Sequence, residues 1–187
     1  MTSTGWLREE RTALAMGEIL DAAAELFVQR GVAAVGMAEV AEAAGCSRAT
    51  LYRYFDSRDA LRGAFIHRET TRVADEVARS IAEVDDPGLR LVEGVMASLQ
   101  LVRDDPVLSA WFSASDTGWT ARFAQSSALI EEQVSRLLGA SSDPAVRRRA
   151  RWVVRVIVSL LADPEATPAE ERAQVEEFVV PVVLGRR

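Results

Sequence analysis

Arg48, Ala49, Tyr52 and Arg53 fall at i, i+1, i+4 and i+5, the spacing that makes one outward stripe on an α-helix. Their chemistry suits the major groove of DNA. An arginine fork matches O6 and N7 of guanine, a small alanine permits close approach or contact with a thymine methyl, and Tyr52 can reach base or phosphate. Thr50 and Tyr54 flank the stripe at i, i+4 and are better placed for phosphates. Ser47 is of the type that caps a helix N-terminus, while Leu51 and Phe55 give the same segment an apolar inner face. The expectation is a recognition helix from about Ser47 to Phe55. Helix–glycine–helix units with a polar outer face also occur as plain scaffold, so spacing alone leaves a solvated face open as the alternative.

A recognition helix must be held by a second helix across a tight turn. Met37, Val40, Ala41 and Ala44 supply two amphipathic turns, and Gly45 stands where a helix ends with positive φ. Upstream, Met16, Ile19, Leu20, Ala23, Ala24 and Phe27 repeat the i, i+3, i+4, i+7 pattern until Gly31. Gly17 lies inside that helix at a cost of about 1 kcal/mol against alanine.

The run Ile19-Leu20-Asp21-Ala22-Ala23, Phe27 and Gly31, followed by Val40-Ala41-Glu42-Ala43-Ala44-Gly45-Cys46-Ser47-Arg48-Ala49-Thr50-Leu51-Tyr52-Arg53-Tyr54-Phe55 and Asp56-Ser57-Arg58-Asp59-Ala60-Leu61, resembles the DNA-binding domain of TetR family repressors. The resemblance covers about the first third of the chain. It implies a homodimer that sets two recognition helices on a near-palindromic double-stranded operator. By position it places Ser47, Thr50, Tyr52 and Tyr54 near phosphates or bases and Arg48, Ala49 and Arg53 at the groove. Arg58 stands where the family usually has a backbone-contacting lysine. Val35 and Gly36 replace the usual Thr/Ser pair and Ala38 a frequent arginine, which removes side-chain contacts to phosphate.

Helical signals continue to the end of the chain, so an all-α fold is expected. Residues 1–56 form a three-helix DNA-binding domain with residues 1–12 as an N-terminal arm. Residues 57–187 form a helical effector-binding and dimerisation domain, entered through a linking helix at 57–68 that carries Phe65 and Ile66 toward the second core. Asp-Pro steps at 86–87, 105–106 and 143–144 put a capping aspartate before a proline at the first helical position. Thr167-Pro168-Ala169-Glu170 fits a capping box. Helices are predicted near 57–83, 87–103, 106–114, 118–138, 144–162 and 168–184.

Met96, Leu99, Trp111, Phe112, Trp119, Phe123 and Trp152 are core by default. With Gln100 and Arg103 they also have the composition of a pocket for a small hydrophobic effector. Trp152 to Leu161 is apolar almost all round and needs cover on two sides. A partner subunit meeting Val154, Val158, Leu161, Val175, Phe178, Val179 and Val182 would supply one of them. Arg147, Arg148, Arg149, Arg151 and Arg155 read as the solvated face of that helix or as a second DNA contact.

Composition narrows the functions further. One cysteine and one histidine in 187 residues exclude an intrachain disulfide and a Cys/His zinc cluster, and no catalytic constellation or glycine-rich phosphate loop is present. No metal or cofactor is implied, and an enzyme or scaffold is the weaker reading beside a regulator with or without an effector. Cys46 reads as a small hydrophobe in the turn rather than a redox sensor, and His67 as solvated. The net charge of −6 opposes DNA binding, but all 22 basic residues are arginine and five lie between Gly45 and Arg68 against Asp56 and Asp59. With no membrane-length apolar run and no signal-like start, cytoplasm is the default.

Overall fold

The computed structural model describes residues 3–112, 128–137 and 143–185, and among these residues there is no strand. The helices are α1 (Ser3–Arg30), α2 (Met37–Ala43), α3 (Arg48–Tyr54), α4 (Arg58–Ser80), α5 (Pro87–Asp104), α6 (Pro106–Ser109), α7 (Ala128–Leu137), α8 (Pro144–Ala162), α9 (Pro168–Gln174) and α10 (Val180–Leu184). A single 3-10 turn (Ala110–Phe112) follows α6, and a π-helical turn (Val175–Val179) joins α9 to α10. The chain divides into two compact units, residues 1–66 and 67–187, and the division falls inside α4.

In unit 1, Ile19, Leu20, Ala23 and Phe27 of α1 are buried with Val40 and Ala41 of α2, Leu51 of α3, and Leu61 and Phe65 of α4. Phe65 therefore belongs to this core rather than to the second. Its ring meets Phe27 edge-on, with centroids 5.4 Å apart and planes at 84°. The expected arm is helical from Ser3, because residues 6–16 hold good helix formers and no proline. Gly17 is a weak point of α1, and a Cβ built there meets nothing within 4 Å. Gly17→Ala should raise unfolding stability by about 0.5–1 kcal/mol, read as a higher urea midpoint at unchanged slope.

Unit 2 is built on caps that its sequence announces. Asp86 accepts from Leu89 N–H at 2.8 Å, Asp105 from Val107 N–H at 2.9 Å and Asp143 from Ala145 N–H at 2.8 Å. The Thr167 hydroxyl accepts from Glu170 N–H at 3.2 Å and donates to the Glu170 carboxylate at 3.0 Å. The core joins Leu91, Val92, Val95 and Leu99 of α5 to Val153 and Leu160 of α8 and to Val175, Val179 and Val183. Along another side of α8 lies α7, tied to it by Arg151–Glu131 at 3.2 Å. The last helix was expected to run unbroken, but Pro181 has no N–H for the carbonyl four residues back. The chain widens by one residue instead, and Val180 N–H donates to Val175 O. No helix among the described residues is long and apolar enough to cross a membrane.

Candidate nucleic-acid interface

The turn before α3 is set by local chemistry. Gly45 takes φ +64°, Cys46 N–H donates to Ala41 O at 2.9 Å and Gly45 N–H to Glu42 O at 3.1 Å, which together form a Schellman ending of α2. Ser47 Oγ accepts from Thr50 N–H at 3.0 Å and caps α3. The Thr50 hydroxyl lies 2.9 Å from the same oxygen. Leu51 and Phe55 are buried, which turns Arg48, Ala49, Tyr52 and Arg53 outward as one exposed face, with Thr50 and Tyr54 half-buried beside it. The Arg53 guanidinium carbon stands 5.2 Å from the Tyr54 ring centroid, a cation–π contact that restrains the arginine on that face.

Four contacts that set this unit's frame leave no periodic trace in the sequence. Arg58 is exposed but donates to Ala33 O at 3.1 Å, and the buried Arg62 donates to Val32 O, so α4 is fastened to the turn between α1 and α2. The start of α2 is held by Gly36 N–H donating to Glu39 Oε2 at 2.9 Å, while Arg30 pairs with the other carboxylate oxygen. The Gly36 bond, helped by Arg30, keeps the Glu39 carboxyl below the usual carboxylate range. Val35 is buried in the unit's core, which explains an apolar residue where a polar one was expected. Cys46 is half-buried in the turn.

In unit 2 a cavity of about 920 Å³ opens between the end of α4, α5 and α9. Met96, Leu99, Gln100 and Arg103 line it, as does Glu171. Of the other residues expected at a pocket, Trp111 is buried and Phe112 half-buried outside this lining, and Trp119 and Phe123 lie outside the described residues. Trp152 is 43% exposed, in a shallow groove of about 360 Å³ shared with Arg155, Ser159 and Phe178.

The residues expected at a partner interface divide in the same way. Val154, Val158, Val175 and Val179 are buried within their own subunit, and Leu161 packs against its core. Phe178 and Val182 are each 60% exposed. The apolar circumference of α8, which in the sequence calls for cover on two sides, is covered by α7 and by the α5 core. Of the residues expected at a partner surface, Phe178 and Val182 are left open to solvent, while Val154, Val158, Val175 and Val179 are covered by their own subunit.

A family model described as "Bacterial regulatory proteins, tetR family" matches residues 19–65. An HTH-type transcriptional regulator of Mycobacterium tuberculosis is 49% identical over 186 residues, covering 98% of this chain and 92% of that protein. Among solved structures, the TetR family repressor AlkX of Dietzia sp., implicated in biodegradation of n-alkanes, superposes with a TM-score of 0.62 at 24% identity, covering 90% of this chain and 94% of that one. The regulator FadR of Bacillus subtilis in complex with stearoyl-CoA superposes with a TM-score of 0.57 at 14% identity, covering 91% and 98%.

Proposed function

The chain belongs to the TetR family of bacterial regulatory proteins and is a DNA-binding transcriptional regulator, not an enzyme; from that premise we propose that it is a homodimeric repressor released from its operator by a small, largely apolar effector. The observation that carries the operator reading is the exposed face of Arg48, Ala49, Tyr52 and Arg53 on a helix whose opposite face is buried. Arg48 and Arg53 read guanines, Ala49 faces a thymine methyl, and Tyr52 reaches base or phosphate. Ser47, Thr50, Tyr54 and Arg58 hold the backbone. Arg58 can serve both the turn and a phosphate, since its bond to Ala33 O engages one of five guanidinium N–H groups.

Two features support the effector reading. The cavity in unit 2 has a volume at the upper end of the range for drug-sized ligands and mixes apolar walls with a few polar groups. Of the two similar regulators of known structure, one is implicated in biodegradation of n-alkanes and the other is in complex with stearoyl-CoA. An effector releases the protein only if it binds better to a state that does not fit the operator. A coupling of about 2 kcal/mol weakens DNA roughly 30-fold, and operator must weaken the effector by the same factor. Titrating a cavity ligand with and without operator tests this; equal affinities would remove the effector from the mechanism.

Thr50→Ala and Arg58→Ala should weaken operator and unrelated DNA alike. Arg58→Ala, which removes one charge from the phosphates, should also flatten the slope of log affinity against log salt by about 0.9, whereas Thr50→Ala removes no charge and should leave the slope unchanged. A change in base preference in either variant would reassign that residue from backbone to bases.

A further inference from the structure

The charges around the unit 2 cavity are not equivalent. Ile81, Val84, Leu89 and Met96 give it an apolar wall, and its charged lining is Glu93, Arg103, Asp104, Glu171 and Arg172, of which Asp104 is exposed. Arg172 is balanced by Glu93 at 2.9 Å and Glu176 at 3.5 Å. Glu171 is 1% exposed, with its two oxygens held by Nη1 and Nη2 of Arg103 at 2.8 and 2.6 Å. That fork keeps the Glu171 carboxyl below the usual carboxylate range, so it is a buried anion. Arg103 keeps 33% of its side chain exposed.

Arg103 also donates to Leu160 O at 2.8 Å. That carbonyl is among the last four of α8, which no N–H of the helix can reach. One guanidinium thus fastens the last turn of α5 to the end of α8 and to α9. These bonds engage three of its five N–H groups and leave two without a partner among the described residues.

We propose that Arg103 recognises the polar end of the effector, and that the effector is an amphipathic monoanion with a carboxylate head on Arg103 and an apolar body against Ile81, Val84, Leu89 and Met96. This rests on the reading that unit 2 binds an effector, and it names the chemical class. The two N–H groups left are Nε–H and the second Nη1–H, on opposite edges of the guanidinium, so a carboxylate head accepts from one of them, and its bond to a charged donor is stronger than that of a neutral hydroxyl. The incoming anion competes with Glu171, and a buried carboxylate deprived of its cation is strongly disfavoured. Binding therefore loosens α9 from α5 and α8. From α9 the chain runs directly into the π-helical turn that carries Phe178, so the exposed apolar groove is where the change would be felt.

The test uses the full chain and three probes of one tail length: dodecanoate and dodecyltrimethylammonium below their critical micelle concentrations, and dodecanol below its solubility limit. Calorimetric titration should show dodecanoate binding at least tenfold more tightly than dodecanol and the cation not at all. Glu171→Gln removes the competing charge at nearly constant shape and should tighten dodecanoate about fivefold while leaving dodecanol unchanged. Arg103→Gln should abolish the preference. The double variant R103Q/E171Q, in which neither charge is left alone, separates loss of ligand from loss of fold, and it too should bind the acid and the alcohol equally. If the acid and the alcohol bind the wild type equally, or the cation binds best, the anion inference falls while an apolar effector stands. If none of the three binds, the effector reading fails and this inference with it.

Discussion

Arg48→Ala and Arg53→Ala should each lower affinity for the cognate operator by about 1–3 kcal/mol, roughly 5- to 150-fold, and relax preference at particular base pairs. The expectation follows from how α3 is held. Ser47 caps its start, Leu51 and Phe55 anchor its inner face, and both arginines stand on the exposed side. Neither substitution removes a buried group, so the thermal midpoint should move little while specificity changes. The two need not contribute equally. Arg53 is restrained over Tyr54 and loses less side-chain freedom on reaching a base, so its replacement should have the larger effect. Competition of operator against single-base variants separates lost base contact from a uniform loss of affinity. A uniform loss would assign both arginines to phosphates.

The second large effect is expected at the apolar face of unit 2. Phe178→Glu and Val182→Glu should each convert the dimer to folded monomers and weaken operator binding by more than about 100-fold, because the second half-site no longer adds to the first. Both side chains are 60% exposed, so glutamate is solvated in the separated subunit and unfavourable only where a partner covers it. Val158→Glu is the instructive contrast. That residue is buried in its own subunit, and a charge there should unfold or aggregate the protein. Sedimentation with circular dichroism distinguishes a helical monomer from an unfolded chain. Dimeric F178E and V182E would place the partner elsewhere.

What was legible in the sequence was local. Gly45, Ser47 and the Asp-Pro steps act within four residues of themselves, so their types fix caps and turns almost regardless of context. The outward face of α3 follows from helical period and the burial of Leu51 and Phe55. The contacts of Arg58, Arg62 and Arg103 span 25, 30 and 57 or more residues, and an arginine on a helix does not announce a distant carbonyl. Apolar periodicity likewise says that Val158 is covered but not by what. It could not separate Val158, under its own subunit, from Phe178, left open. Trp152 was grouped with the core for its size, although the large aromatic residues of a chain can also sit on surfaces awaiting a partner. Pro181 was the one readable sign of the π-helical turn, since it removes a donor within an otherwise helical run.

Selection of bound fragments from a random pool of double-stranded DNA, run in parallel with the wild type and R48A/R53A, tests the central claim most directly. The wild type should enrich a two-fold symmetric sequence whose half-sites are separated by one helical turn or a multiple of it. The double variant, folded and dimeric, should lose that motif while retaining weak binding that falls with salt. An unchanged motif in R48A/R53A, or no motif from the wild type, would contradict recognition through this face of α3.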